Sequence, residues 1–166
     1  MLVALVVVLI SGGACWAPPV NAPITDPYRA PPCTYCPGNR GIEFGPRPGQ
    51  VVSAVHEGVV SFAGTVAGTR YVVIDHADGL RATYGRLATV EVHRGDSVDA
   101  GDHLGTTGDG FYFGLRRGVA PNDHPVDPTP MLGVRTYPPR LIPVDGTPAP
   151  SPGPGRLTCG NSAGGR

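Results

Sequence analysis

The sequence predicts an all-β fold: a small antiparallel β-sandwich or barrel with disordered Pro/Gly-rich flanks. Three observations carry this. Short β-branched runs recur with turn residues roughly every 8–12 positions. No stretch repeats its apolar residues at the 3.6 spacing of an amphipathic helix. Pro and Gly make up 20 and 25 of the 166 residues, and the prolines crowd toward the two ends. Together the two types exceed a quarter of the chain, a level that taken alone signals disorder. The uneven placement of the prolines argues instead for one folded core between two loose segments.

The elements follow in order. Leu2 to Ile10 is an unbroken apolar run, followed by Ser11-Gly12-Gly13-Ala14-Cys15. It is well short of the ~20 residues of a membrane-spanning helix and fits the apolar core and small-residue exit of a secretory signal peptide. Residues 1–17 are therefore expected to direct export to the cell envelope or beyond, with cleavage near Ala17. The basic opening of such signals is missing, which leaves the true start codon open. A lipid anchor at Cys15 is the alternative, although Gly12 is smaller than the residue lipoprotein signals prefer. Residues 18–38 are Pro-rich with few aliphatics and are expected to be an extended linker.

Strands are expected at 51–55, 58–63, 70–76, 80–84, about 90–92, 97–98, 103–106 and 111–115. The run at 70–76 is continuously apolar, so both of its faces are expected to be covered. Asp78-Gly79 after it is a strong hairpin signal. On the returning strand Leu80, Ala82 and Tyr84 share one face, with Arg81 and Thr83 on the other. Residues 39–133 thus form the expected β domain. From 134 to 166, Pro138, Pro139, Pro148, Pro150, Pro152 and Pro154 forbid helix and central strand, and the tail is expected to be mostly disordered.

Charge gives little. The 13 basic residues, all Arg, balance 13 acidic ones, so nothing draws the chain to nucleic acid or an anionic membrane. The four cysteines suit an oxidising compartment. Cys33 and Cys36 stand at C-x-x-C spacing, but no second Cys/His pair completes a zinc knuckle. Pro37-Gly38 directly after Cys36 prevents the helix a thioredoxin-like site needs. A Cys33–Cys36 disulfide is expected, with pairing of Cys159 to one of them as the rival.

The core resembles the LytM/lysostaphin-type zinc endopeptidases, which cut peptide cross-links in peptidoglycan, in five pieces in the right order. Asn39-Arg40-Gly41-Ile42-Glu43 and the residues to Val55 are similar to H-x-G-I-D-I-A-A-P-x-G-T-P-V-x-A. Residues 56–64 resemble A-D-G-V-V-x-x-A-G, and 73–87 resemble V-I-x-H-x-x-G-L-x-T-x-Y-A-H-L. Residues 92–105 resemble V-x-x-G-x-x-V-x-x-G-Q-x-I-G. Phe113-Gly114-Leu115-Arg116 is similar to the end of H-L-H-F-E-L-R. A biotinyl or lipoyl carrier barrel shares the Val/Gly spacing, but it presents a modified Lys and this chain has none.

The resemblance implies a fold and a site, and the site is where the chain departs. The family's zinc ligands fall on Asn39, Glu43 and Tyr112, and its two catalytic histidines on Arg86 and Gly110. Catalytic zinc needs about three protein ligands and one open position. Glu43 alone cannot supply them, and a neutral amide and a phenol of pKa ~10 are poor substitutes. His76 falls outside the family's ligand set, and His56, His93, His103 and His124 lack ligand spacing; all five are expected to be surface or loop residues. No metal and no cofactor are therefore expected, although active members of the family carry zinc.

Asn39, Arg40, Glu43, Tyr84, Arg86 and Tyr112 should converge on the former cleft. There Arg86 either plugs the cavity by pairing with Glu43 or, with Tyr112, binds stem-peptide carboxylates. The resemblance implies a secreted, catalytically silent metallopeptidase-like domain that binds peptidoglycan or regulates a cell-wall hydrolase. An active zinc endopeptidase with an unorthodox site is the alternative.

Overall fold

In the computed structural model the described residues are 15–33, 35–119, 122–136, 143–144, 147 and 155–159. Eleven strands form within them: β1 (Ile24–Asp26), β2 (Ile42–Phe44), β3 (Val51–Ser53), β4 (Gly58–Val66), β5 (Thr69–Asp75), β6 (Leu80–Val90), β7 (Ser97–Val98), β8 (His103–Arg117), β9 (His124–Val126), β10 (Val134–Thr136) and β11 (Arg156–Thr158). One 3-10 turn, Thr129–Met131, is the only helical element among the described residues. The fold is all-β and antiparallel, as the alternation and turn spacing require.

Nine strands form one sheet in the order β1-β2-β8-β6-β5-β4-β7, with β3 and β9 also paired to β8. Strand β8 organises it. Its middle pairs with β2, its first residues with β3, its last with β9, and its other edge with β6. Strands β2 to β8 all send side chains into one buried cluster that includes Ile42, Phe44, Val52, Val60, Ile74, Tyr84, Val98, Leu104 and Phe111. The sheet therefore curls around a single core.

The Asp78-Gly79 hairpin forms as expected. Gly79 takes a φ of 78°, which suits Gly, and the His76 N–H donates to the Leu80 carbonyl at 2.8 Å. Leu80, Ala82 and Tyr84 share the core face. The expected segment at 80–84 opens one long strand, β6, which ends at Val90, the first residue of the expected 90–92 segment, and those at 103–106 and 111–115 are both within β8. Bulges explain this: register shifts at Gly85/Leu87 and Leu87/Thr89 bend β6 without ending it.

Four expectations need correction. Strand β5 buries Val72 and Ile74, but Tyr71 and Val73 are only half-buried, so one of its faces stays partly open. Residues 18–38 are not a free linker: Pro19 and Val20 are buried, the Pro19 carbonyl accepts from the Ser53 N–H at 2.9 Å, and β1 pairs with β2. The tail is not wholly loose, because β10 pairs with β11 in a separate two-stranded sheet. His76 is no surface residue. It is 5% exposed, its Nδ1 lies 2.6 Å from the Glu57 carbonyl, and its ring packs beside Trp16 and His56.

Cysteine pairing is settled on both counts. Cys33–Cys36 forms as expected. Cys159 pairs with Cys15 rather than with either member of that pair. A lipid anchor at Cys15 would need the same sulfur, and cleavage near Ala17 would remove one half of the bond. Residues 1–14, where the expected leader lies, and most of the Pro-rich stretch 137–154 fall outside the described residues. Among the described residues no helix is long and apolar enough to cross a membrane.

Candidate functional site

The site sits where β2, β8 and β6 lie side by side. Register places Glu43 opposite Tyr112 and Tyr112 opposite Gly85. Arg86 follows Gly85 at a bulge and takes a φ of 62°. An L-residue in this left-handed region carries strain, and such strain clusters at functional sites. The bulge gives Arg86 its direction: both guanidinium nitrogens, Nη1 and Nη2, donate to the two oxygens of Glu43 at 2.8 Å each. This bidentate pairing holds the Arg86 guanidinium above its ordinary pKa.

The other expected ligand positions are also engaged. Asn39 is 8% exposed, and its Nδ2 donates to Asp26 Oδ2 at 3.2 Å and to the Pro27 carbonyl at 3.2 Å. Its Oδ1 accepts from the Gly41 N–H at 3.4 Å. Asp26 is itself ion-paired with Arg29, whose guanidinium draws the carboxyl below the usual carboxylate range. Asn39 therefore works as a loop brace. Arg40 donates to the Cys36 carbonyl at 3.3 Å, which ties the disulfide loop to the chain entering β2.

Tyr112 lies across a glycine floor. A Cβ on Gly41 would approach its ring at 2.7 Å, a Cβ on Gly114 would approach its hydroxyl at 2.5 Å, and Gly85 lies beneath both Tyr112 and Tyr71. Burial pushes the Tyr112 phenol up, which keeps it neutral at ordinary pH. Gly110 has a φ of 84°, and a Cβ there would meet Arg86 Nη1 at 3.6 Å. Arg86 thus borders the space a side chain at position 110 would enter.

One expected groove residue is misplaced. Tyr84 is fully buried in the core, with its hydroxyl accepting the Val55 N–H at 3.0 Å. Strand alternation puts it on the face opposite the groove. Glu43 and Arg86 are joined by their ion pair and Tyr112 stands opposite Glu43 in the register, whereas Asn39 is turned to Asp26 and Pro27 and Arg40 reaches the Cys36 carbonyl. The sequence reading missed Tyr71, Asp26, Arg29 and the three glycines. Tyr71 has a signal, the Tyr71–Gly85–Tyr112 row across three strands, but reading it requires the bulged register at Arg70/Tyr71.

Zinc, which the resemblance implies for active relatives, finds no suitable donor set here. Asn39 faces Asp26 and Pro27, both oxygens of Glu43 are taken by a cation, and Tyr112 is a neutral phenol. Among the described residues no three His, Cys, Asp or Glu side chains gather at a spacing for a metal ion. The residues do not fit the ion.

Comparison with known proteins decides the family. The model of peptidase family M23 matches residues 37–128, more than half of the chain. The chain belongs to peptidase family M23. Its fold is that of solved M23 proteins. The catalytic domain of the prophage-encoded M23 protein EnpA from Enterococcus faecalis is 29% identical, with a TM-score of 0.56 over 69% of this chain and 95% of that one. Lysostaphin in solution gives 24% and 0.61 over 70% of this chain and 52% of that one. Helicobacter pylori Csd3 gives 22% and 0.63 over 79% of this chain and 38% of that one.

SpoIIQ in its pore-forming complex with SpoIIIAH has a TM-score of 0.60 at 20% identity over 71% of this chain and 90% of that one. The uncharacterized protein Rv2891 of Mycobacterium tuberculosis is 31% identical over 137 residues, covering 71% of this M23 chain. The chain spans about half of that relative's length, 54%.

Proposed function

We propose that this M23 domain is a secreted, catalytically silent module of the cell envelope that holds peptidoglycan in its groove without cutting it. The observation that carries this is the bidentate Arg86–Glu43 pair. It puts a fixed positive charge beside the one family ligand position that still bears a carboxylate. A metal ion would have to displace that charge and then recruit an amide and a neutral phenol. Among the described residues no His, Cys, Asp or Glu cluster stands ready to hold a metal ion that would activate water.

Of the two earlier roles for Arg86, the plug is the one supported, because its fork is already filled by Glu43. A stem-peptide carboxylate would have to compete with an intramolecular partner. Binding falls instead to the half-buried Tyr71 and Tyr112 rings, which lie side by side over Gly85 and offer flat apolar surface with a hydroxyl at the edge.

A partner protein is the second reading, favoured by the fold shared with SpoIIQ, which is solved in complex with SpoIIIAH. Sedimentation with purified, protein-free peptidoglycan tests the first reading. The wild-type chain should pellet with the wall and Tyr112→Ala should pellet less. A chain that stays in solution, while a wall hydrolase co-purifies with it, would replace the first reading by the second.

A further inference from the structure

We infer that the leader is removed between Ala14 and Cys15, and that the exported protein keeps Cys15 as an unlipidated half of the disulfide to Cys159. The inference rests on the export part of the reading above. It begins from how firmly residues 15–20 are built into the fold. Cys15 is bonded to Cys159 across 144 residues, and its backbone nitrogen donates to the Cys159 sulfur at 3.0 Å.

Trp16 forms a parallel bridge with Leu132. Its N–H donates to the Met131 carbonyl and its carbonyl accepts from the Gly133 N–H, each at 2.8 Å. Its indole packs on the rings of His56 and His76, with centroids 5.3 and 5.6 Å away. Gly133 shows that the approach is close: a Cβ there would collide with the Cys15 sulfur and with Leu157.

Cleavage after Ala17 would discard Cys15 and Trp16 together. It would leave Cys159 with a free thiol, uncover His76, and strip the Met131 carbonyl and the Gly133 N–H of their backbone partner. Acylation of Cys15 would consume the sulfur that Cys159 uses. What remains is a cut on the amino side of Cys15. Gly12-Gly13-Ala14, one residue beyond the apolar run, puts small residues at the two positions a signal peptidase reads.

The chemistry balances. One water is consumed as the Ala14–Cys15 peptide bond breaks, leaving a carboxylate on Ala14 and an amine on Cys15. The two thiols then lose two protons and two electrons to the active-site disulfide of a thiol oxidoreductase, which becomes a dithiol.

The test is the full chain, leader included, secreted from a bacterial host and read by N-terminal sequencing and intact mass, with alkylation before and after reduction. The expected product starts at Cys15, takes no alkyl group before reduction and four after it, and yields a peptide linking Cys15 to Cys159. A secreted product starting at Pro18, a diacylglyceryl mass on Cys15, or Cys159 linked to Cys33 or Cys36 would overturn this inference and leave export standing. A chain retained in the cytoplasm with its leader intact would overturn both. Cys159→Ser keeps the cleavage site and should make Cys15 the single alkylatable thiol; alkylation at Cys33 or Cys36 instead would refute the pairing.

Discussion

Arg86 carries two opposed contributions to stability, and substituting it by Ala and by Gly separates them. Its bidentate pair with Glu43 is partly open to solvent, with side-chain exposures of 45% and 26%. Screening at that exposure limits the pair to about 0.5–1 kcal/mol. Against this stands a φ of 62°, which costs a non-glycine residue roughly 1–2 kcal/mol. Gly removes that cost but gives back about 0.5–1 kcal/mol through the entropy of its unfolded state.

Arg86→Ala loses the pair and keeps the strain, so it should be less stable by about 0.5–1 kcal/mol. Arg86→Gly loses the pair and sheds the strain, and should lie close to wild type. At about 2–4 °C per kcal/mol for a chain of this size, the Ala variant should melt about 1–4 °C lower than wild type, and the Gly variant above the Ala variant, in a range of about 4 °C either side of wild type. Thermal unfolding followed by circular dichroism reads both. An Ala variant as stable as the Gly variant would refute the reasoning, since the backbone at the bulge would then hold no strain for Gly to relieve.

Two further predictions concern residues outside the groove. Tyr84→Phe removes the acceptor of the buried Val55 N–H and should cost about 1–3 kcal/mol in a urea titration without changing sedimentation with peptidoglycan; lost sedimentation at unchanged stability would return Tyr84 to the groove. Asp123 accepts from Arg116 Nε at 2.6 Å, and that hydrogen bond draws its carboxyl below the usual range. Its contribution is therefore complete above the unfolded value near ~3.9 and is lost as pH falls through the lower folded value. The stability advantage over Asp123→Asn should be level from neutral pH down to about 4 and shrink below it; an advantage that grows in acid would contradict the pairing.

The sequence made the fold legible because period-2 patterning and turn chemistry act locally. Asp78-Gly79 fixes its hairpin alone, and Leu80, Ala82 and Tyr84 reveal their face by alternation. The same alternation could have kept Tyr84 out of the groove, because a residue sharing a face with Leu80 and Ala82 points into the core. The positions matching the family's site were readable residue by residue, and Arg86 does reach Glu43. Tyr71 was hidden because its place beside Tyr112 depends on two bulges, and a one-residue shift of register exchanges faces.

The flanks were misjudged for a different reason. Their proline content does exclude helix, but it does not prevent extended chain from packing, as Pro19 and Val20 do. The Cys15–Cys159 bond joins residues 144 apart, a separation at which sequence spacing carries no information on pairing.

The central claim is that the groove of this M23 domain no longer holds zinc. Metal content per chain measures it directly: the purified full chain is equilibrated with excess zinc, desalted, and analysed by mass spectrometry of the elements. The account predicts far less than one zinc per chain, the same for Glu43→Gln as for wild type. One zinc per chain that is lost in Glu43→Gln, together with chelator-sensitive cleavage of a cross-bridge peptide, would contradict it.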